Sequence, residues 1–281
     1  MWKCLVAVAC VVTGQVSLAA AEPSADELEE RRGALEARLG KRFTVVIEPP
    51  FVLIGDESPA TVKHHATGIL RWSIQLLEAE YFKTRPNKLI EIWLFRNEQT
   101  YRKGAKKFFG DTPETPYGYY SSAHDAMVMN IGPGAGTLVH EVVHPYIEAN
   151  FPAAPSWFNE GLASLYERPV EKKGHIWGLP NWRLPNLKHE LAVRSLPPMT
   201  TLLATTREAF YEAQFDAYAY ARYLLLYLQE HGKLTELYTK MVADEKDPTG
   251  QAALEDVLGE KLATFEPRWR AWAAALKGDN R

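Results

Sequence analysis

A chain of 281 residues with 46% apolar and 24% charged side chains holds enough hydrophobic material for a packed core, which excludes a disordered polymer. Its formal net charge of −3 gives no electrostatic attraction for nucleic acid, so none is expected as a partner. The only cysteines, Cys4 and Cys10, lie near the start, which excludes a disulfide framework for the rest of the chain.

Residues 1–21 read as an export signal. Lys3 supplies the positive start, "CLVAVACVV" the short apolar run and "SLAAA" the small-residue exit, with cleavage expected after Ala21. The expected location is periplasmic or extracellular. The apolar run is too short to span a bilayer, and no later run approaches eighteen residues, so no membrane span is expected in the mature chain.

"SADELEERRGALEARLG" (24–40) has helical spacing and opens on Ser24 as its cap. "RFTVVIEPPFVLIGD" reads as two short strands around Pro49 and Pro50, and "ATVKHHATGILRWSIQLLEAEYF" as a long amphipathic helix. "KLIEIWLF" is a strand, "NEQTYRKGAKKFF" a helix with a solvated basic face, and "YGYYSSAHDAMVMNI" a hairpin turning near residues 122–125. From about residue 135 onward nearly everything reads as helix. The expected fold class is α+β: a mixed strand and helix lobe over 22–132, packed on a predominantly helical lobe over 133–281. The segment "LVHEVVHPYIEANFPAAPSWFNEGLASLYE" (138–167) falls at the junction of the lobes, where clefts are common.

That segment carries the chemistry. On a helix His140 and His144 lie one turn apart on the same face and can aim two imidazoles at one ion. Glu141 projects about 100° round from His140, so it can reach a water at the metal without being a ligand. After His144 the helix runs to about Asn150. "FPAAP" then forces a turn, and Ser156 is placed as the N-cap of a second helix with Glu160 in its first turn, facing back at the histidines. Phe158, Leu162 and Leu165 or Tyr166 take the core face, while Ser164 or Glu167 can orient a ligand from behind. Two imidazoles and one carboxylate suit Zn2+, with a position left for water. Pro145 departs from the pattern: it cannot donate to the Glu141 carbonyl, so a kink or end is expected there.

H-E-x-x-H followed by W-x-N-E-G-x-A resembles the gluzincin zinc metallopeptidases, and most of all their peptidase MA-like domains. The likeness extends over 117–275, where "AYAYARYLLLYLQEHGKLTELY" and "AALEDVLGEKLATFEPRWRAW" are similar to the family's closing helices. The resemblance implies a zincin-like fold, zinc held by His140, His144 and Glu160, and Glu141 as general base. It also implies a strand at the cleft edge, matched to "AMVMNI" (126–131), that pairs with an extended peptide. A tyrosine from a downstream helix would stabilise the oxyanion, and Tyr218 best fits that position, with Tyr220 second. For either tyrosine, simple core packing is the competing role. The aminopeptidase G-x-M-E-N motif has no counterpart, because "MVMNIGPGAG" lacks the acid. The implied activity is therefore an exported zinc-dependent endopeptidase acting on a peptide or protein substrate. The alternative is a non-catalytic zincin-like scaffold binding a partner or a cell-envelope polymer. His124 and His175 are lesser candidates to reach the cleft.

Overall fold

A computed structural model describes residues 22–121, 123–244 and 246–278. The expected export signal lies outside the described residues. Helix α1 (Ala25–Leu39) is opened by Ser24, whose hydroxyl and backbone N–H are both engaged with Glu27 in a capping box. Strands β1 (Thr44–Glu48) and β2 (Phe51–Gly55) then form an antiparallel pair. The long amphipathic helix is realised as α2 (Pro59–His64), a π-helical stretch (His65–Arg71) and α3 (Trp72–Glu80). Strand β3 (Ile90–Phe95) is followed by α4 (Glu98–Gly104), which runs on in π-helical form over Ala105–Phe109. Strands β4 (Gly118–Ser121) and β5 (Ala126–Asn130) make the expected hairpin.

These five strands form one sheet in the order β1-β2-β3-β5-β4. β2, β3 and β5 are parallel neighbours, and the antiparallel β1 and β4 are the edges. This corrects the placement of the cleft-edge strand: residues 126–131 supply β5, which is paired on both sides, and the edge belongs to β4. Sequence pattern alone does not say on which side of a hairpin a third strand docks.

Side chains alternate along each strand, so the sheet feeds two cores. Phe51, Leu53, Ile92, Leu94, Met127 and Met129 enter a large cluster shared with the helices that follow. Val52, Ile54, Trp93, Phe95 and Val128 face a smaller cluster closed by α1 and α4. Both faces of the central strands are thereby covered, which is why they read as near-continuous apolar runs. The buried Glu91 is answered by Arg31 from α1 and by the Trp93 indole N–H at 2.7 Å.

Beyond the sheet come α5 (Gly136–Asn150) and α6 (Ser156–Leu165). A hairpin of β6 (Pro169–Lys172) and β7 (His175–Gly178) follows. The remaining elements are α7 (Leu184–Ala192), α8 (Met199–Leu203), α9 (Arg207–Tyr211), α10 (Ala217–Glu230), α11 (Leu234–Ala243), α12 (Gln251–Leu258) and α13 (Leu262–Ala275). The β6–β7 hairpin corrects the expectation of helix throughout. A two-residue turn at Lys173 and Gly174, both with positive φ, joins its short strands. The fold is α+β, and among the described residues no helix is long and apolar enough to cross a membrane.

Candidate metal centre

Helix α5 buries Leu138, Val139, Val142, Val143, Tyr146 and Ile147, an apolar stripe at helical spacing that fixes its rotation against the sheet. His140 and His144 leave that stripe together, with ring centroids 5.0 Å apart. The helix does not end at Pro145 but continues to Asn150. One backbone hydrogen bond is lost, at a cost of about 3 kcal/mol in an ordinary helix. The buried Tyr146 and Ile147 hold the next turn against the core. At the helix end, the Asn150 side chain accepts from the N–H groups of Lys83 and Thr84 at 2.9 Å and donates to the Thr84 carbonyl at 2.7 Å.

The prolyl loop returns the chain as expected, but Pro155 occupies the cap position and Ser156 is the first helical residue of α6. Pro155 is extended, and its carbonyl accepts from Phe158 and Asn159, which needs no side-chain cap. Glu160 therefore stands one step later than expected, as the fifth helical residue at the start of the second turn. Phe158, Leu162, Leu165 and Tyr166 are fully buried on the core face. Gly161 lets α10 approach: a Cβ there would sit 3.1 Å from Leu225 and 3.2 Å from Ala221.

Glu160 meets the two histidines. Its Oε2 lies 3.5 Å from His140 Nε2 and 3.9 Å from His144 Nε2, and one donor atom from each residue falls within 4.8 Å of the others. Glu160 is 4% exposed, and Oε2 has no hydrogen-bond partner. A buried carboxylate oxygen without a donor is costly, and a cation among these three side chains would satisfy it. This group can hold a metal ion.

Each ring has a polar neighbour on its far side. His144 Nδ1 lies 2.9 Å from Asn159 Oδ1; an amide oxygen only accepts, so Nδ1 carries the proton and Nε2 presents its lone pair. His140 Nδ1 faces Glu167 Oε1 at 3.4 Å. Glu167 is in turn gripped by Arg183 through two contacts at 2.6 and 2.8 Å and by Asn181 at 2.7 Å. Of the two residues considered for this supporting role, Glu167 is the one facing His140, at ion-pair distance and without a hydrogen bond, and the buried Ser164 hydroxyl makes no hydrogen bond. Gly136 anchors the arrangement, because a Cβ there would collide with the Glu167 carbonyl.

The site favours positive charge. Burial depresses the His140 imidazolium, but the Glu160 and Glu167 carboxylates outweigh it and raise the pKa to about 10. Burial raises Glu160, yet His144, His140 and the Tyr211 hydroxyl bring it to about 2. Glu167 is likewise raised by burial and brought to about 2, chiefly by Arg183. The same field attracts a metal cation in place of the proton.

A cleft of about 960 Å³ opens onto these residues. Glu141, His144, Asn159 and Glu160 line it from the two metal-site helices, Tyr119 and Tyr120 from edge strand β4, and Arg207, Tyr211 and Tyr218 from the helical side. Tyr218 therefore reaches the cleft, half-buried, with Arg183 over its ring. Tyr220 does not: it stacks on Trp269 at 4.9 Å in the core. Tyr211 was passed over in the sequence, yet its hydroxyl donates to Glu160 Oε1 at 2.6 Å. Burial first, then the Glu160 charge, pushes both cleft phenols well above their usual pKa, so they remain donors. His175 pairs with Glu80 at 2.6 Å and His124 with Ser121 at 3.0 Å, and neither lines the cleft.

No protein-family model matches this chain, and no curated protein matches it.

Proposed function

We propose that this cleft is the active site of an exported zinc-dependent metallopeptidase of the gluzincin type, with a zincin-like fold. The observation that carries the proposal is the buried, unpartnered Glu160 Oε2 facing two imidazole nitrogens whose far sides are held by Asn159 and Glu167. His140, His144 and Glu160 would hold the ion, which when bound supplies Lewis acidity to a water and to a substrate carbonyl.

Glu141 stands in the cleft outside that trio. As general base it takes a proton from the attacking water and returns it to the departing amine. Tyr218 and Tyr211 carry protonated hydroxyls at the cleft wall and are donors available to the tetrahedral oxyanion. Tyr211 already bonds Glu160, so Tyr218 is the better placed of the two. The outer edge of β4 is unpaired among the described strands and can add an extended peptide as a sixth strand. The missing acid in "MVMNIGPGAG" leaves no clamp for a substrate amine, which favours cleavage away from a free amino end.

The test is Glu141→Gln. The variant should bind zinc as the native chain does and cleave no peptide. Equal cleavage by both proteins would refute the mechanism. Zinc-loaded native protein that is inert on a broad peptide library would instead favour a binding scaffold.

A further inference from the structure

The cleft beside the histidines is walled on one side by edge strand β4. Its lining includes Tyr119 and Tyr120 of β4 and extends to Lys88, Glu148 and Pro152. At the opposite end of β4, Tyr117 stacks on Trp182 with centroids 6.3 Å apart and planes within 17°. The Arg183 guanidinium lies 4.2 Å from the Trp182 ring and 4.8 Å from the Tyr218 ring. Tyr117, Trp182, Arg183 and Tyr218 therefore form a continuous bridge from the sheet edge to α10.

This bridge is built into the fold. Its Arg183 is bound to Glu167 behind His140. The segment before it is held where Tyr223 accepts from Asn181 N–H at 3.1 Å and Arg222 donates to the Leu179 carbonyl. Tyr117 and Trp182 are nevertheless 47% and 58% exposed, which places their stack at the surface.

Resting on the peptidase reading, the geometry points to a substrate range: peptides cut close to their carboxyl terminus, with the bridge as the end stop. A peptide pairing antiparallel with β4 runs from the Tyr120 end towards Tyr117. Its amino-terminal part then lies along the open groove without limit of length. Its carboxyl-terminal part meets Trp182 soon after passing the metal site. Trp182 and Tyr117 are thus specificity-determining residues that decide how much chain fits beyond the scissile bond.

The test uses zinc-loaded full-length protein and a peptide core selected from a random peptide mixture, lengthened stepwise at either end. Amino-terminal extension should leave kcat/KM unchanged, whereas carboxyl-terminal extension should lower it by about tenfold or more, or roughly 1.4 kcal/mol. Trp182→Ala should restore cleavage of the long carboxyl-terminal series, and Trp182→Phe, which keeps the stack, should not. Zinc content equal to native would show that the alanine variant is folded. Equal native cleavage of both series, or inhibition by amino-terminal extension instead, would overturn the end stop. If no peptide is cleaved, the peptidase reading fails by itself. A core selected from the same mixture by binding to Glu141→Gln protein, lengthened at either end, then decides the end stop, which survives only if carboxyl-terminal extension weakens binding.

Discussion

Replacing Glu167 by Gln removes a charge that two other groups depend on. In the native chain its carboxylate faces His140 Nδ1 at 3.4 Å and takes both arms of Arg183, and the ion pair is 10% and 13% exposed. Glutamine leaves Arg183 buried without a counter-charge, which costs about 3–5 kcal/mol by analogy with other broken buried pairs. An independent route gives a similar size. The Glu167 pKa falls from 4.5 to about 2, and that shift corresponds to about 3 kcal/mol of folding stability. The sign is that of a depressed carboxylate: its contribution is full above pH 4.5 and is lost as pH falls towards 2. Urea denaturation of chelator-stripped protein should show the native chain losing stability across that window and Glu167→Gln losing much less. Zinc affinity, measured by competition with a chromogenic chelator, should weaken about 10–100-fold, because His140 loses its supporting acceptor. A variant that unfolds at the native urea concentration and binds zinc as tightly would refute the view that Glu167 supports the metal ligand.

Other substitutions separate the remaining roles. Tyr218→Phe should lower kcat by about 10²–10³ with little change in zinc content, as expected for loss of an oxyanion donor. Tyr211→Phe should act mainly through Glu160 and weaken zinc binding, which equilibrium dialysis would detect. Gly136→Ala drives a methyl into the Glu167 carbonyl and should destabilise the fold by about 1–3 kcal/mol in denaturant titration. Pro145→Ala restores a donor to the Glu141 carbonyl and should raise stability by up to about 3 kcal/mol.

Where local chemistry decides structure, the sequence was readable. Ser24 and Glu27 box a helix start, and β4 and β5 pair as a hairpin, because each depends on neighbours a few positions apart. The metal trio was legible for the same reason: helical spacing sets the histidines, and a short prolyl loop leaves Glu160 few directions to face. Asn159 was visible as the neighbour of Glu160, but its contact with His144 depends on the angle between α5 and α6. Long-range placement was not legible. The family resemblance put residues 126–131 at the cleft edge, yet β3 docks against β5 and leaves its hairpin partner β4 outside. Tyr211 sits on a five-residue helix that no periodicity announces, and only packing on α6 and α10 brings it to Glu160. The β6–β7 hairpin had one usable signal, the Lys173–Gly174 turn, between strands too short to show alternation.

The most direct test of the whole account is the metal content of the purified native chain beside Glu160→Ala, by elemental mass spectrometry. One zinc per native chain and a large loss in the variant are the predicted results. Native protein without bound metal under zinc-replete conditions, or a variant that retains it in full, would contradict the assignment of His140, His144 and Glu160 to a single ion.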